Sequence, residues 1–191
     1  LHDATPRTVP VPAEDGLTAP ALRTALSDRT KIVVLGDCVN PTGKVYSTGE
    51  LTALAQVLAE HNTRREERGE PPVHVLFDTP YEAHVLGERA RTFAAIDVPL
   101  ADGSRCSMRP WTTWVTGPGK TYGMHGDRIG YLCGPADIVE AAARAQVNLT
   151  SFASTYGQIA THIALQPEWT RWPPTGRAPP APTWRRCCGN C

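Results

Sequence analysis

The chain predicts an α/β fold, a mostly parallel sheet flanked by helices, and two observations carry the prediction. Residues 32–35 and residues 73–77 are short apolar runs (Ile32, Val33, Val34, Leu35; Val73, Val75, Leu76, Phe77) of the kind that form strands buried on both faces. Between them stands an amphipathic segment with Leu51, Leu54, Ala55 and Leu58 at helical spacing. Strand, helix, strand with a long crossover is the repeating unit of a parallel sheet. A length of 191 residues gives one ordinary core.

Residues 4–16 are rich in proline and read as an extended lead-in. A first helix follows, with Thr18 as its cap, Pro20 in the first turn, where the missing N–H costs nothing, and Leu22, Ala25 and Leu26 as its apolar face. The first strand ends at Gly36 and Asp37. Ser47 and Glu50 form a capping-box pattern that starts the crossover helix. The charged stretch 61–72, closed by Gly69, Pro71 and Pro72, reads as a solvated helix end and loop. The second strand ends in Asp78. Residues 111–116 predict a third strand and 129–133 a fourth, with a glycine-rich loop between them. Ile138, Ala142 and Ala145 mark another helix, and Tyr156, Ile159, His162 and Ile163 a last one. Residues 169–191 are rich in Pro, Arg, Trp and Cys without period, so they read as a tail not native to the fold; residues 1–168 form the domain.

Lys plus Arg equals Asp plus Glu at 19 each, so no net field favours nucleic acid or an anionic membrane surface. With 41% hydrophobic and 20% charged residues the chain is too apolar to be disordered throughout. It also lacks an apolar run near the ~18 residues that span a bilayer. No basic segment leading into an apolar one is visible at the N-terminus, where the absence of Met suggests that the start lies upstream. Cys38, Cys106 and Cys133 are scattered like the thiols of a cytoplasmic protein. Cys187, Cys188 and Cys191 crowd the end with no His pair or second Cys pair to complete a four-ligand site, so no metal is expected.

Four polar features stand in order: Asn40, Pro41, Thr42 and Gly43 after the first strand; Asp78 and Tyr81 after the second; Lys120 in the glycine loop; and Arg128 between Gly126 and Gly130. Singly, each has an ordinary structural reading: a turn, a helix cap and a core aromatic, a solvated lysine, a surface ion pair. Gly119, Lys120 and Thr121 also end like a phosphate-binding loop, but the glycine that loop needs six residues before its lysine is Trp114. His74, His84, His125 and His162 read as structural, with His125 the one nearest the lysine.

Taken together, the ordered set resembles the large domain of fold-type I pyridoxal phosphate enzymes, specifically the class I/II aminotransferase family. The three-residue spacing of Asp78 and Tyr81 and the eight-residue spacing of Lys120 and Arg128 match that family's pattern, and the resemblance covers about residues 9–165. It implies an incomplete large domain of that fold and pyridoxal 5'-phosphate as cofactor. It further implies transfer of an amino group between an amino acid and a keto acid through a Lys120 Schiff base. A carbanion at the substrate Cα needs an electron sink, and a protonated pyridine ring is one; Asp78 would hold that proton. Lys120, in a partly desolvated loop, would attach the cofactor and carry the Cα proton. By resemblance, Asn40 and Tyr81 would hydrogen-bond the phenolic oxygen and Arg128 would pair with the phosphate. The alternatives are another reaction of the same cofactor (elimination, cyclisation or oxidation of an amino acid) or an inactive truncated remnant. The full-length parent would be a homodimer.

Departures from the pattern stand beside the match. Where many members carry hydroxyl residues one and three positions before the lysine, this chain has Gly119 and Gly117, which leaves Thr116 as the candidate to hold the phosphate on that side. The family's N-terminal phosphate loop, the aromatic that stacks on the cofactor ring and the C-terminal small domain with its substrate-binding arginine have no counterpart.

Overall fold

The computed structural model describes residues 5–88 and 90–166. The tail assigned to residues 169–191, with its three cysteines, lies outside the described residues.

The helix α1 (Ala19–Ala25) begins as the sequence dictates, its Thr18 side chain accepting from the Ala21 amide at 3.4 Å with Pro20 in the first turn. Strand β1 (Ile32–Gly36) leads into a turn over residues 38–45, where Cys38 and Val45 bridge and Gly43 takes the positive φ of 73° that closes the turn. Helix α2 (Thr48–Glu67) opens with the full capping box, in which Ser47 Oγ accepts from the Glu50 amide and the Glu50 carboxylate accepts from the Ser47 amide at 2.7 Å. Strand β2 (His74–Asp78) pairs parallel with β1 in the register Val33 to Val75 and Leu35 to Phe77.

A hairpin of β3 (Asp97–Pro99) and β4 (Arg105–Ser107) follows, turned by Asp102, Gly103 and Ser104. Strand β5 (Thr112–Thr116) pairs parallel with β2, and β6 (Tyr131–Cys133) closes the sheet antiparallel to β5, giving the order β1-β2-β5-β6. The short helix α3 (Pro118–Thr121) lies between β5 and β6, and α4 (Ala136–Leu149) and α5 (Thr155–Ala164) are the last elements among the described residues. No helix among the described residues is long and apolar enough to cross a membrane.

One face of the sheet carries the core. Leu35, Val75, Phe77 and Trp114 form one cluster with Leu51, Leu54 and Leu58 of α2 and with Phe93, Val98 and Met108 from the hairpin region. The opposite face is open, which corrects the expectation that β1 is buried on both sides: Ile32 and Val34 are 60% and 68% exposed because no described element covers them. The stretch 61–72 is corrected too. Asn62 and Arg65 follow Leu58 at spacings of four and three, so they stay on the inward face of α2 and are 1% exposed. Their polar atoms are satisfied by backbone. Asn62 Nδ2 donates to the Val73 carbonyl (3.0 Å) and its Oδ1 accepts from the Val73 amide (2.8 Å), while Arg65 donates to the carbonyls of Pro71 (2.7 Å) and Asp28 (2.9 Å).

Candidate active site

All three parallel strands point their carboxyl ends at one edge of the sheet, where ligands bind in folds of this kind. Asn40 follows β1 and is joined to Pro41 by a cis peptide, Asp78 is the last residue of β2, Tyr81 lies just beyond it, and Lys120 sits on α3 directly after β5. Asn40 Nδ2 donates to the Tyr81 hydroxyl at 3.1 Å, and the Lys120 ammonium lies 5.6 Å from the Tyr81 ring centroid, within cation–π reach. The structure thus joins Asn40, Tyr81 and Lys120 by direct contacts, with Tyr81 between the other two.

Asp78 stands at the same edge. Asp78 is exposed as a residue, local desolvation at the strand end pushes its carboxyl pKa up, and no hydrogen bond or ion pair engages the carboxylate among the described residues. Arg128 is not joined to the other four. It adopts a left-handed backbone (φ 53°, ψ 45°), uncommon for a residue with a side chain, and its Nη1 donates to the His125 carbonyl at 3.0 Å within its own turn. His125 therefore serves this turn through its backbone.

Two expectations are corrected here. Lys120 is exposed rather than partly desolvated, its ammonium standing over the Tyr81 ring. Thr116 offers no free hydroxyl to a phosphate: it is buried, and its hydroxyl donates to the Thr79 carbonyl at 3.0 Å. Gly117 is also explained by packing, since a Cβ there would stand 2.7 Å from the Ile129 carbonyl oxygen, whereas one at Gly119 would meet nothing closer than 3.8 Å. Sequence reasoning passed over Thr79 and the indole of Trp114, which link the two strands below the site. The available signal was a hydroxyl residue immediately after an acid at a strand end, too common to single out.

Such a fold and edge define a parallel α/β domain with an amine, a phenol, a carboxamide and an unpaired carboxylate at the strand ends. The sequence pattern of the aminotransferase class I and II family matches residues 1–171, and the chain belongs to that family. It is 35% identical over 151 residues to an aspartate aminotransferase of Rhizobium meliloti, covering 78% of this chain and 32% of that one. It is 32% identical over 146 residues to a kynurenine–oxoglutarate transaminase of Dictyostelium discoideum, covering 76% and 30%. Against the crystal structure of the Rhizobium meliloti aspartate aminotransferase the TM-score is 0.66 at 35% identity, over 80% of this chain and 34% of that one. The chain spans about a third of the length of the curated relatives it matches. The fold is that of the fold-type I aminotransferases, represented here in part.

Proposed function

We propose that this chain is the cofactor-holding part of a pyridoxal phosphate-dependent aminotransferase that moves an amino group between an amino acid and a keto acid. The observation that supports it is the convergence of Asn40, Asp78, Tyr81 and Lys120 on one sheet edge, with Tyr81 bridging the carboxamide and the amine. The donor set fits the cofactor. An unpaired carboxylate whose local desolvation disfavours its charge gains from a cationic partner such as a protonated ring nitrogen, and an exposed lysine without an acidic partner is open to an aldehyde.

When bound, pyridoxal phosphate supplies an electron sink for the carbanion at the amino acid's Cα. Asp78 would hold the proton on the ring nitrogen. Lys120 would anchor the group and carry the Cα proton. Asn40 and Tyr81 would donate to the phenolic oxygen, and Arg128, whose Nη1 donates to the His125 carbonyl, would supply the cation for the phosphate. A homodimer of a longer parent chain and a cytoplasmic setting complete the reading; the thiols of Cys38 and Cys106, in no disulfide among the described residues, agree with a reducing compartment. The relatives' names differ in substrate, so the amino acid itself is left open.

The test is trapping. Pyridoxal phosphate is added to the purified chain, reduced with borohydride, and the labelled lysine mapped among Lys31, Lys44 and Lys120. The expected label falls on Lys120 and is lost in Asp78→Ala and Arg128→Ala. Lys44 is held in an ion pair with Glu50 at 2.5 Å and serves as the internal control. Label scattered over all three lysines would overturn the reading.

A further inference from the structure

Thr79 is the residue on which the two halves of this site are joined. It follows Asp78, is 2% exposed, and sends every polar group it has to β5. Its amide donates to the Val115 carbonyl (2.9 Å), its Oγ1 accepts from Trp114 Nε1 (2.6 Å), and its carbonyl accepts from Thr116 Oγ1 (3.0 Å). Trp114 and Thr116 are themselves buried, at 4% and 6% exposure. The parallel ladder between β2 and β5 ends with Asp78 opposite Val115, so Thr79 continues the pairing one residue past the strand. Its neighbours are the groups in question: Asp78 on one side, Tyr81 two residues on the other, and at the far end of β5 the turn that carries Lys120.

We propose that Thr79 is a positioning residue of this site: its hydroxyl and carbonyl, held by Trp114 and Thr116, fix Asp78 and Tyr81 relative to Lys120. The role rests on the proposed function above for its purpose, and on the three hydrogen bonds for its geometry. Loss of the hydroxyl leaves a buried indole N–H without an acceptor, and the strand end relaxes to let water reach it. Rotation of Asp78 and Tyr81 about that end moves both side chains at once, whereas a purely structural threonine would change stability and leave the site chemistry in place.

The experiment uses the full chain without cofactor first. The Asp78 carboxyl is titrated by carbon NMR in the wild type, Thr79→Val, Thr79→Ser and Thr116→Val. Thr79→Val keeps the branched shape and shifts the Asp78 midpoint as the strand end moves; Thr79→Ser keeps the wild-type midpoint. Thr116→Val, which removes only the bond to the Thr79 carbonyl, shifts it in the same direction by less. With pyridoxal phosphate added, half-saturation of the Lys120 label rises roughly ten-fold in Thr79→Val, the scale of one unsatisfied buried donor, and recovers in Thr79→Ser. An unchanged Asp78 midpoint in folded Thr79→Val overturns the proposal, as does unfolding of both valine variants, which would make the residue a support of the fold. Failure of the wild type to label Lys120 sinks the proposed function instead, while the Asp78 titration still reads Thr79.

Discussion

Helix α2 and the pair α4 and α5 start from similar sequence and end in different surroundings. Each carries apolar residues at helical spacing, and α2 and α5 share a hydroxyl N-cap, Ser47 in one and Ser154 in the other. Yet α2 buries eight residues from Leu51 to Arg65, α4 buries none, and α5 buries only Gly157 and Thr161. Val147, Leu149, Phe152 and Tyr156 are 59%, 73%, 83% and 86% exposed. Local periodicity and caps suffice to form a helix, and burial requires a partner surface in addition. The sheet supplies that surface to α2 on one face only. The site lies along the seam: Asn40, Asp78, Tyr81 and Lys120 stand on or just beyond strands of the packed sheet, and Arg128 sits in the thinly covered part beyond β5.

The sharpest test of that contrast is deletion of core volume. Leu54 is 1% exposed at the centre of the cluster, so Leu54→Ala should lower unfolding stability by about 3 kcal/mol, transfer and cavity terms together, in urea titration. A loss below ~1 kcal/mol would mean that α2 is no better packed than α4.

Gly117 tests whether the two regions are locked together at the site. A serine side chain there meets the Ile129 carbonyl at 2.7 Å, a backbone atom with nowhere to move without shifting the Arg128 turn, so Gly117→Ser should cost roughly 1–3 kcal/mol and weaken cofactor uptake. Gly119→Ser, with 3.8 Å of clearance, should leave stability unchanged. Equal behaviour of the two variants in thermal melts and in Lys120 labelling would break the distinction.

A smaller effect belongs to the α2 cap. The Lys44 hydrogen bond, followed by those from Ser47, holds the Glu50 carboxyl at about 2, below its ordinary 4.5. Because the folded value is depressed, the stabilisation is present above pH ~4.5 and is lost as pH falls through ~2. The Glu50 side chain is 42% exposed, so solvent and salt hold the contribution under ~1 kcal/mol. Glu50→Gln should flatten that part of the stability–pH curve, and an unchanged slope between pH 5 and 2 would remove the cap from the account.

Much of this arrangement is legible in the chain, and the reasons for the rest are physical. The caps at Thr18 and Ser47 and the apolar runs of β1, β2 and β5 are local signals, and the structure follows them. The β3–β4 hairpin was written as clearly, with Asp102 and Gly103 at the turn and Val98 between two exposed neighbours, but three-residue strands fall below what periodicity resolves. Asn62 and Arg65 look solvated because their type is polar, and only the tertiary position of Val73, Pro71 and Asp28 gives them partners. At the site, the order of Asn40, Asp78, Tyr81, Lys120 and Arg128 was readable. The exposure of Lys120 and the inward turn of Thr116 depend on which faces are covered, which no spacing encodes.

The least stabilising side chains in this comparison should be the large exposed ones. Phe152 contacts the cleft of about 630 Å³ that Ile129, Tyr131, Val147 and Leu165 also line, and at 83% exposure it leaves most of its ring in water. Phe152→Ser therefore removes almost no burial and should change unfolding stability by less than ~0.5 kcal/mol. It should reduce the fluorescence of an apolar dye bound to the chain, because the patch spanning α4 and α5 loses an exposed aromatic ring. A stability loss comparable to that of Leu54→Ala would show that the α4 and α5 faces are packed in solution, and the division between the two regions would fall.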